Sequence, residues 1–507
     1  MTQLHFLTQL SVALPALHVV AAAIALLAGS ERIRFYLSSA ALGAASINAV
    51  LILALPAASS GSSFSAVFSL LIAFLGLIII RFSDTYMRGE QRANWHAMLL
   101  HTALAAVATV AIADHLLLFL IGWVGISLVL NELLLFYPER PRAIIAAHKK
   151  FLFARLAELS LLCAFLLLAQ QHQSWQLSEI LTAYPAELST REHIAASLIA
   201  LAALIKCAQL PMHGWLMQVV EAPTPVSALL HAGIINLGGY LLIMTAPLFS
   251  SSEPAQWLVL VVAGLSMMIA ALITATRVSI KVKLAWSTTA QMGMMLVECA
   301  LGLYQLAMLH LVAHACYKGY LFLRSGSAVE YYLDAKHAGQ RATVNRDWVF
   351  AIAIAIPLVV LVSNLVGSNG VLSPWLFLSA MAIAILTERG VSGTHQNRTE
   401  AVVIAVLMVG AYAAQKTVFA SVANEFEVAS LSQDLWVCSI AGLLWSGWRL
   451  MQREPQSATA KRWHSMLFAG LYLDEWVTRT TLKLWPPKVI SGPMIATQAN
   501  RYGTESK

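Results

Sequence analysis

Apolar residues run through this chain in blocks of about the ~20 residues that cross a bilayer, separated by short polar stretches. Helices are the form in which such blocks satisfy their own backbone in hydrocarbon. The pattern predicts spans over residues 10–28, 33–55, 64–81, 97–113, 115–136, 151–170, 194–221, 224–248, 255–276, 283–303, 305–323, 348–366, 374–387, 400–422 and 431–448. The expected fold is therefore an all-α polytopic membrane protein of about 14–15 transmembrane helices. Residues 463–485, WHSMLFAGLYLDEWVTRTTLKLW, mix aromatics and leucines with Asp474, Glu475, Arg479 and Lys483. That mixture predicts an amphipathic helix lying in the membrane interface, stopped by Pro486 and Pro487.

Charge placement gives the blocks a direction. If successive loops are assigned to alternate sides, one side collects Arg32 and Arg34, Arg88 and Arg92, Arg140, Arg142, Lys149 and Lys150, and Arg277 and Lys281. The same side gathers Arg324, Lys336, Arg341, Arg346, Arg389, Arg398, Arg453, Lys461 and Arg462. The other side holds Arg191 beside Glu179, Glu187, Glu192, Glu253, Glu425 and Glu427. Basic residues gather on the cytoplasmic side. The expected topology is thus N-terminus outside and C-terminus cytoplasmic, in a bacterial inner membrane.

Composition narrows the chemistry. Of 507 residues, 59% are hydrophobic and 11% charged, which leaves no polar region large enough for a soluble catalytic domain. The five cysteines, Cys163, Cys207, Cys299, Cys316 and Cys438, stand singly and form no CxxC pair, so no disulfide framework, zinc finger or iron–sulfur site is indicated. No Walker loop or dinucleotide fingerprint occurs. Neither a cofactor nor a metal site is expected, and the chain reads as a transport subunit rather than an enzyme.

The polar residues that remain inside the apolar blocks are the candidates for function, because a charge in hydrocarbon costs roughly 2.5–3.5 kcal/mol even on the lenient insertion scale. They concentrate in Lys206–Tyr240, KCAQLPMHGWLMQVVEAPTPVSALLHAGIINLGGY, where Pro211, Pro223 and Pro225 break the helix. Lys206 lies mid-span beside that break, where freed carbonyls must line a cavity or face protein. A lysine in such a place can exchange a proton; the plainer reading is a structural ion pair. His231 follows the PTP break and would approach Lys206 if the two spans pack together. His310, His314 and Lys318 recur at i, i+4 and i+8, which puts them on one helix stripe and suggests a proton relay. Arg155 and Glu158, three apart, can pair, and that pair is either purely structural or tunes the charge on Lys206. Lys281 looks like a cytoplasmic flank, with Lys283 reaching inward. Asn131 and Glu132 close the fifth span, at either a solvated boundary or a proton site.

The run KCAQLPMHGWLMQVVEAPTPVSALLHAG, with IKVKLAWSTTAQMG and HLVAHACYKGYLFLRSGS, resembles the antiporter-like subunits of respiratory complex I and of Mrp-type cation/proton antiporters. The resemblance is specific over roughly residues 97–330. It implies two inverted five-helix repeats with broken helices, here 97–248 and 249–430, preceded by N-terminal helices in 1–96 and followed by a last span and amphipathic tail in 431–507. It also implies that Lys206 is the lysine of the first broken helix and His231 the histidine of the next span. Lys281, His310, His314 and Lys318 would form a central basic axis, and Glu158 would be an acid of the sixth span.

Two departures from the family pattern stand out. Where the fifth span usually carries a glutamate after tryptophan, this chain reads Trp123-Val124-Gly125, leaving Glu132 or Glu158 as the substitute acid. The second broken helix keeps Pro357 and a GSNG turn but lacks its lysine, for no lysine occurs between Lys336 and Lys416. With these losses and the ending LYLDEWVTRTTLKLWP, the chain looks most like the DabB membrane subunits of bacterial inorganic carbon accumulation complexes. In that family the partner is DabA, a large soluble zinc protein similar to β-carbonic anhydrase. The resemblance implies that flow of protons or sodium ions drives hydration of CO2 to bicarbonate in the partner. The alternatives are a proton-pumping subunit of an NADH–quinone oxidoreductase and a cation/proton antiporter.

Overall fold

The structure is a computed structural model that describes residues 2–27, 30–54, 60–182, 187–327, 345–366, 371–390, 395–418, 430–453 and 457–486. Lys336, Arg341, Glu425, Glu427, Pro487 and the GSNG turn at 367–370 fall outside them. The first six helices are α1 (Thr2–Leu27), α2 (Glu31–Ala54), α3 (Ser60–Tyr86), α4 (Ala93–Ile112), α5 (Leu116–Leu134) and α6 (Pro141–His172). A short α7 (Leu177–Thr182) leads to α8 (Thr190–Lys206), α9 (Gly214–Gln218), α10 (Thr224–Ala232), α11 (Leu237–Met244) and α12 (Ala246–Ser250). Then come α13 (Glu253–Thr276), α14 (Ile280–Ala300), α15 (Tyr304–Leu323), α16 (Asn345–Val366), α17 (Ser373–Gly390), α18 (His395–Val418) and α19 (Leu431–Arg453). The described chain ends in α20 (Ala458–Phe468) and α21 (Leu473–Leu484).

Every span expected from hydropathy overlaps helix, and among the described residues nine helical segments are long and apolar enough to cross a membrane. The same residues contain no strand, only an isolated antiparallel bridge between His115 and Gln176. Outward faces are leucine, isoleucine and valine, as Leu117, Leu118, Ile121 and Leu128 show on α5, which is what hydrocarbon requires of a helix that keeps its backbone bonds internal.

Inside, small residues let the helices approach. α16, α17 and α18 meet through Ala351, Ala355, Ala382, Ala401 and Ala405, and such packing replaces the hydrophobic effect that lipid does not supply. α1, α2, α3 and α4 meet through Leu14, Ala41, Ala45, Ala73 and Ala108, and α3 and α4 also join the main core. The segment from Thr224 to Met244 lies at the centre of the main core and is buried along its whole span. Tyr240 fixes it to the N-terminal helices: its hydroxyl donates to the Ala111 carbonyl at 2.9 Å, and its ring stacks on Phe68 at 4.3 Å between centroids.

Three features depart from the hydropathy reading. α6 begins at Pro141, ten residues before the expected start, because proline at the first helical position loses no bond the helix would have made. Lys149 and Lys150 therefore lie inside a helix and are buried, not loop residues; Arg34 is likewise buried and pairs with Asp84 at 3.0 Å. The span over 224–248 is not one helix but is interrupted at Gly233, where a single 3-10 turn over Ile234–Asn236 separates α10 from α11. The tail expected as one interfacial helix is two, joined by Gly470–Tyr472 with Leu471 and Tyr472 at φ 53° and 58°. Its buried side chains, Leu467, Val477 and Thr481, face protein.

Close approach at α11 sets a stability prediction. A Cβ on Gly238 would lie 2.5 Å from the Cys207 Sγ and 2.6 Å from the Ala203 carbonyl oxygen, whereas one on Gly43 would meet nothing within 4 Å. Overpacking of this kind costs about 1–3 kcal/mol. Gly238→Ala is therefore expected to lower the thermal midpoint of the detergent-solubilised protein and Gly43→Ala to leave it in place; equal midpoints would contradict the packing.

Candidate functional site

The site grows out of the way α8 ends. A capping box between Ser189 and Glu192 starts the helix, and it stops at Lys206, before Ala208, whose φ of 49° lies in the left-handed region. The backbone groups this frees are met by side chains. Gln209 Nε2 donates to the carbonyls of Cys207 at 2.8 Å and Thr289 at 3.2 Å, and the Leu210 amide donates to Ser266 Oγ at 3.0 Å. The chain re-enters helix at α9, makes one 3-10 turn over Val219–Glu221, and starts α10 with Pro223 as its cap and Pro225 in its first turn.

At this break Lys206 extends toward α5 and α6. Its ammonium sits 4.4 Å from the centroid of the buried Trp123 ring, a cation–π contact. Lys206 shares a cavity of about 30 Å³, room for about one water, with Ser127, Lys150, Glu158 and Trp215. Among the described residues no carboxylate comes within salt-bridge distance of Lys206. Glu158, also buried, pairs instead with Arg155 at 2.8 Å, and Arg155 donates to Ser127 Oγ at 2.7 Å. Lys150 donates to the Ser127 carbonyl and, at 3.4 Å, to its hydroxyl. Two lysines and one carboxylate thus line the space, and Arg155 reaches Ser127 and Glu158 from beside it.

A second polar group lies along α14 and α15. His231 shares a hydrogen bond with Thr288 Oγ1 at 3.1 Å and stacks on Phe322 with centroids 4.2 Å apart. Lys318 donates to the Leu284 carbonyl at 3.1 Å and to Ser287 Oγ. One turn before it, His314 is buried with both ring nitrogens lacking a hydrogen-bond partner, and its ring centroid is 6.2 Å from that of His310. His310 Nδ1 donates to the buried Glu298 carboxylate at 3.1 Å. Lys281 Nζ donates to Thr224 Oγ1 at 3.0 Å, at the first residue of α10.

Several expected residues thus come together, and others do not. Glu158 lines the Lys206 cavity; Glu132 is exposed and does not. The hydrogen-bond and stacking partners of His231 are Thr288 and Phe322, not Lys206. Lys281 turns inward while Lys283 is exposed, the reverse of the order its position suggested. Pro357 does not break its helix, for α16 runs through it. Sequence reasoning passed over Glu298, Lys150 and Ser127. Glu298 was legible as an acid twelve residues before His310 in an apolar block, whereas Lys150 was hidden by its place in a run of basic residues that mimics a loop.

A family model described as NADH:quinone oxidoreductase/Mrp antiporter, TM, matches residues 113–367. The probable inorganic carbon transporter subunit DabB of Hydrogenovibrio crunogenus is 43% identical over 432 residues, covering 84% of this chain and 83% of its own. DabB2 of Halothiobacillus neapolitanus, with the same description, is 35% identical over 473 residues, 89% of this chain and 85% of its own. NADH-quinone oxidoreductase subunit L of Escherichia coli is 32% identical over 259 residues, 50% of this chain and 42% of its own. In fold, the chain is similar to the Mrp complex from Dietzia sp. DQ12-45-1b, at a TM-score of 0.55 and 20% identity over 97% of this chain and 59% of that one. The archaeal membrane-bound sulfane sulfur reductase gives a TM-score of 0.57 at 15% identity, over 93% of this chain and 99% of that one. The chain belongs to the NADH:quinone oxidoreductase/Mrp antiporter transmembrane family, as a multi-pass ion-conducting subunit of its inorganic carbon transporter branch, DabB.

Proposed function

We propose that this chain conducts protons for an inorganic carbon pump, driving the hydration of CO2 to bicarbonate in a soluble, zinc-containing, β-carbonic-anhydrase-like partner of the DabA type. The observation that carries this reading is Lys206, at a helix break among apolar helices, resting on an aromatic face instead of in a salt bridge. Breaking a buried ion pair costs about 3–5 kcal/mol, whereas a cation–π contact holds an ammonium by roughly 0.5–2 kcal/mol. Lys206 can therefore give up and regain a proton without dismantling a strong pair. Arg155 keeps Glu158 in the same cavity as a negative charge that favours reprotonation.

From there the reading follows the polar groups of α10, α14 and α15: His231, Lys281, Lys318, His314 and His310, ending on Glu298. A proton falling through 100 mV releases about 2.3 kcal/mol, roughly a 50-fold bias on an equilibrium. The names of the relatives support carbon transport as the use of that bias. In this reading 97–248 and 249–430 are the two antiporter-like repeats, and the loop charges support an N-terminus outside and a C-terminus in the cytoplasm of the bacterial inner membrane.

Lys206→Ala is expected to abolish bicarbonate accumulation in cells that depend on the complex, a loss of about 100-fold or more, on the scale a positioned proton carrier contributes; full uptake would refute the role. Glu158→Gln should slow uptake and Glu132→Gln leave it unchanged, with the opposite ranking reassigning the acid. Removal of the negative partner of His310 by Glu298→Gln is expected to reduce proton flux in proteoliposomes holding the whole complex. Co-purification separates this reading from a redox pump: a zinc-containing partner supports it, and flavin with iron–sulfur subunits overturns it.

A further inference from the structure

The C-terminal helices reach the break itself. Lys149 is fully buried, and its Nζ donates to both carboxylate oxygens of Asp474, in the first turn of α21, at 2.8 Å each. The same carboxylate lies against Gly214, the first residue of α9, so closely that a Cβ there would coincide with it. The two residues that Asp474 touches have neighbours in the Lys206 cavity: Lys150 follows Lys149 on α6, and Trp215 follows Gly214 on α9. Asp474 thus holds the two segments, 149–150 and 214–215, that also contribute to the lining of the cavity.

Other contacts seat the same element. His148 stacks on Trp485 with centroids 4.0 Å apart, Arg277 donates to the Leu467 carbonyl at 3.3 Å, and Leu467 packs with Leu210 of the break and Trp286. His213, between the break and α9, is buried with both ring nitrogens unpartnered. The Asp474 side chain keeps 30% exposure while Lys149 keeps none, so the carboxylate stands between a buried cation and water.

We propose that α20 and α21 form a cover over the break, latched by the Asp474–Lys149 pair, and that Asp474 is a positioning residue that sets the access of water to the Lys206 cavity. Removing one partner of a buried pair leaves the other charge uncompensated, so loss of the carboxylate releases the cover as well as the charge. Gly214 is part of the device because any side chain there evicts Asp474. The meaning of the cover for transport rests on the proton-carrying role of Lys206; its existence does not.

The test reads the cover directly. The purified full-length chain carrying His213→Cys is placed in nanodiscs, where both faces are open, and labelled with a charged, membrane-impermeant maleimide, with labelling of the parent chain subtracted. With Asp474 intact, labelling is slow. Adding Asp474→Asn, or separately Gly214→Ala, is expected to speed it by about tenfold or more, which corresponds to about 1.4 kcal/mol of lost closure. An unchanged rate in both variants overturns the proposal. Size-exclusion profiles identify the folded fraction, and a role in stability alone would leave the labelling rate of that fraction untouched. If instead Lys206→Ala cells take up bicarbonate normally while the labelling result holds, the transport reading fails and the cover stands.

Discussion

Lys206 and the backbone freed beside it must be satisfied without bulk water, and much of the central core is arranged to do this. Gln209 and Ser266 take up groups a continuous helix would have paired, and the Thr289 carbonyl accepts the other Gln209 hydrogen bond. Cys207 completes the set, its thiol donating to the Ile235 carbonyl at 3.3 Å, next to the second interruption. The two irregular stretches therefore support each other, and both can exist at membrane depth because they are enclosed in protein. Gly238 follows from the same constraint: α11 must come close enough to Cys207 and Ala203 to shut lipid out.

Lys318, which is buried, and Lys206, which is half-buried, are held differently. Lys318 is anchored by a hydroxyl and a carbonyl, both neutral acceptors. Lys206 has an aromatic face and a nearby carboxylate that already belongs to Arg155. Neither sits in a closed ion pair, which would fix its charge. Burial with incomplete compensation is the condition under which a lysine is useful as a carrier, and it is costly enough that a purely structural core would avoid it. The cluster around Ser127 spreads that cost: one serine accepts from Lys150 and Arg155 at once.

Hydropathy made the helices legible because hydrocarbon leaves so little choice: an apolar block of sufficient length has to be helical whatever its neighbours. The break at Lys206 was legible too, from three prolines and a charge in one block. Three things escaped. The interruption at Gly233 carries no proline, and a glycine followed by a 3-10 turn leaves no mark in hydropathy. Lys149 and Lys150 looked like a loop because basic residues at a span boundary usually are one, and only the long-range contacts of α6 with Ser127 and Asp474 distinguish them. Pro357 was expected to break its helix as Pro211 does; yet proline interrupts a buried helix only where other groups take over the freed carbonyl, and α16 continues through it.

The pairing of Lys149 with Asp474 joins residues 325 positions apart. During synthesis the membrane receives α6 long before α21 exists, so a buried cation waits at the break, and the core around it is unfinished, until the stretch carrying Asp474 has been made. The ribosome therefore delivers last the helix whose carboxylate meets that cation. The core around the break thus has its least compensated moment during its own biogenesis, and the order of insertion decides how long that charge stands without its partner.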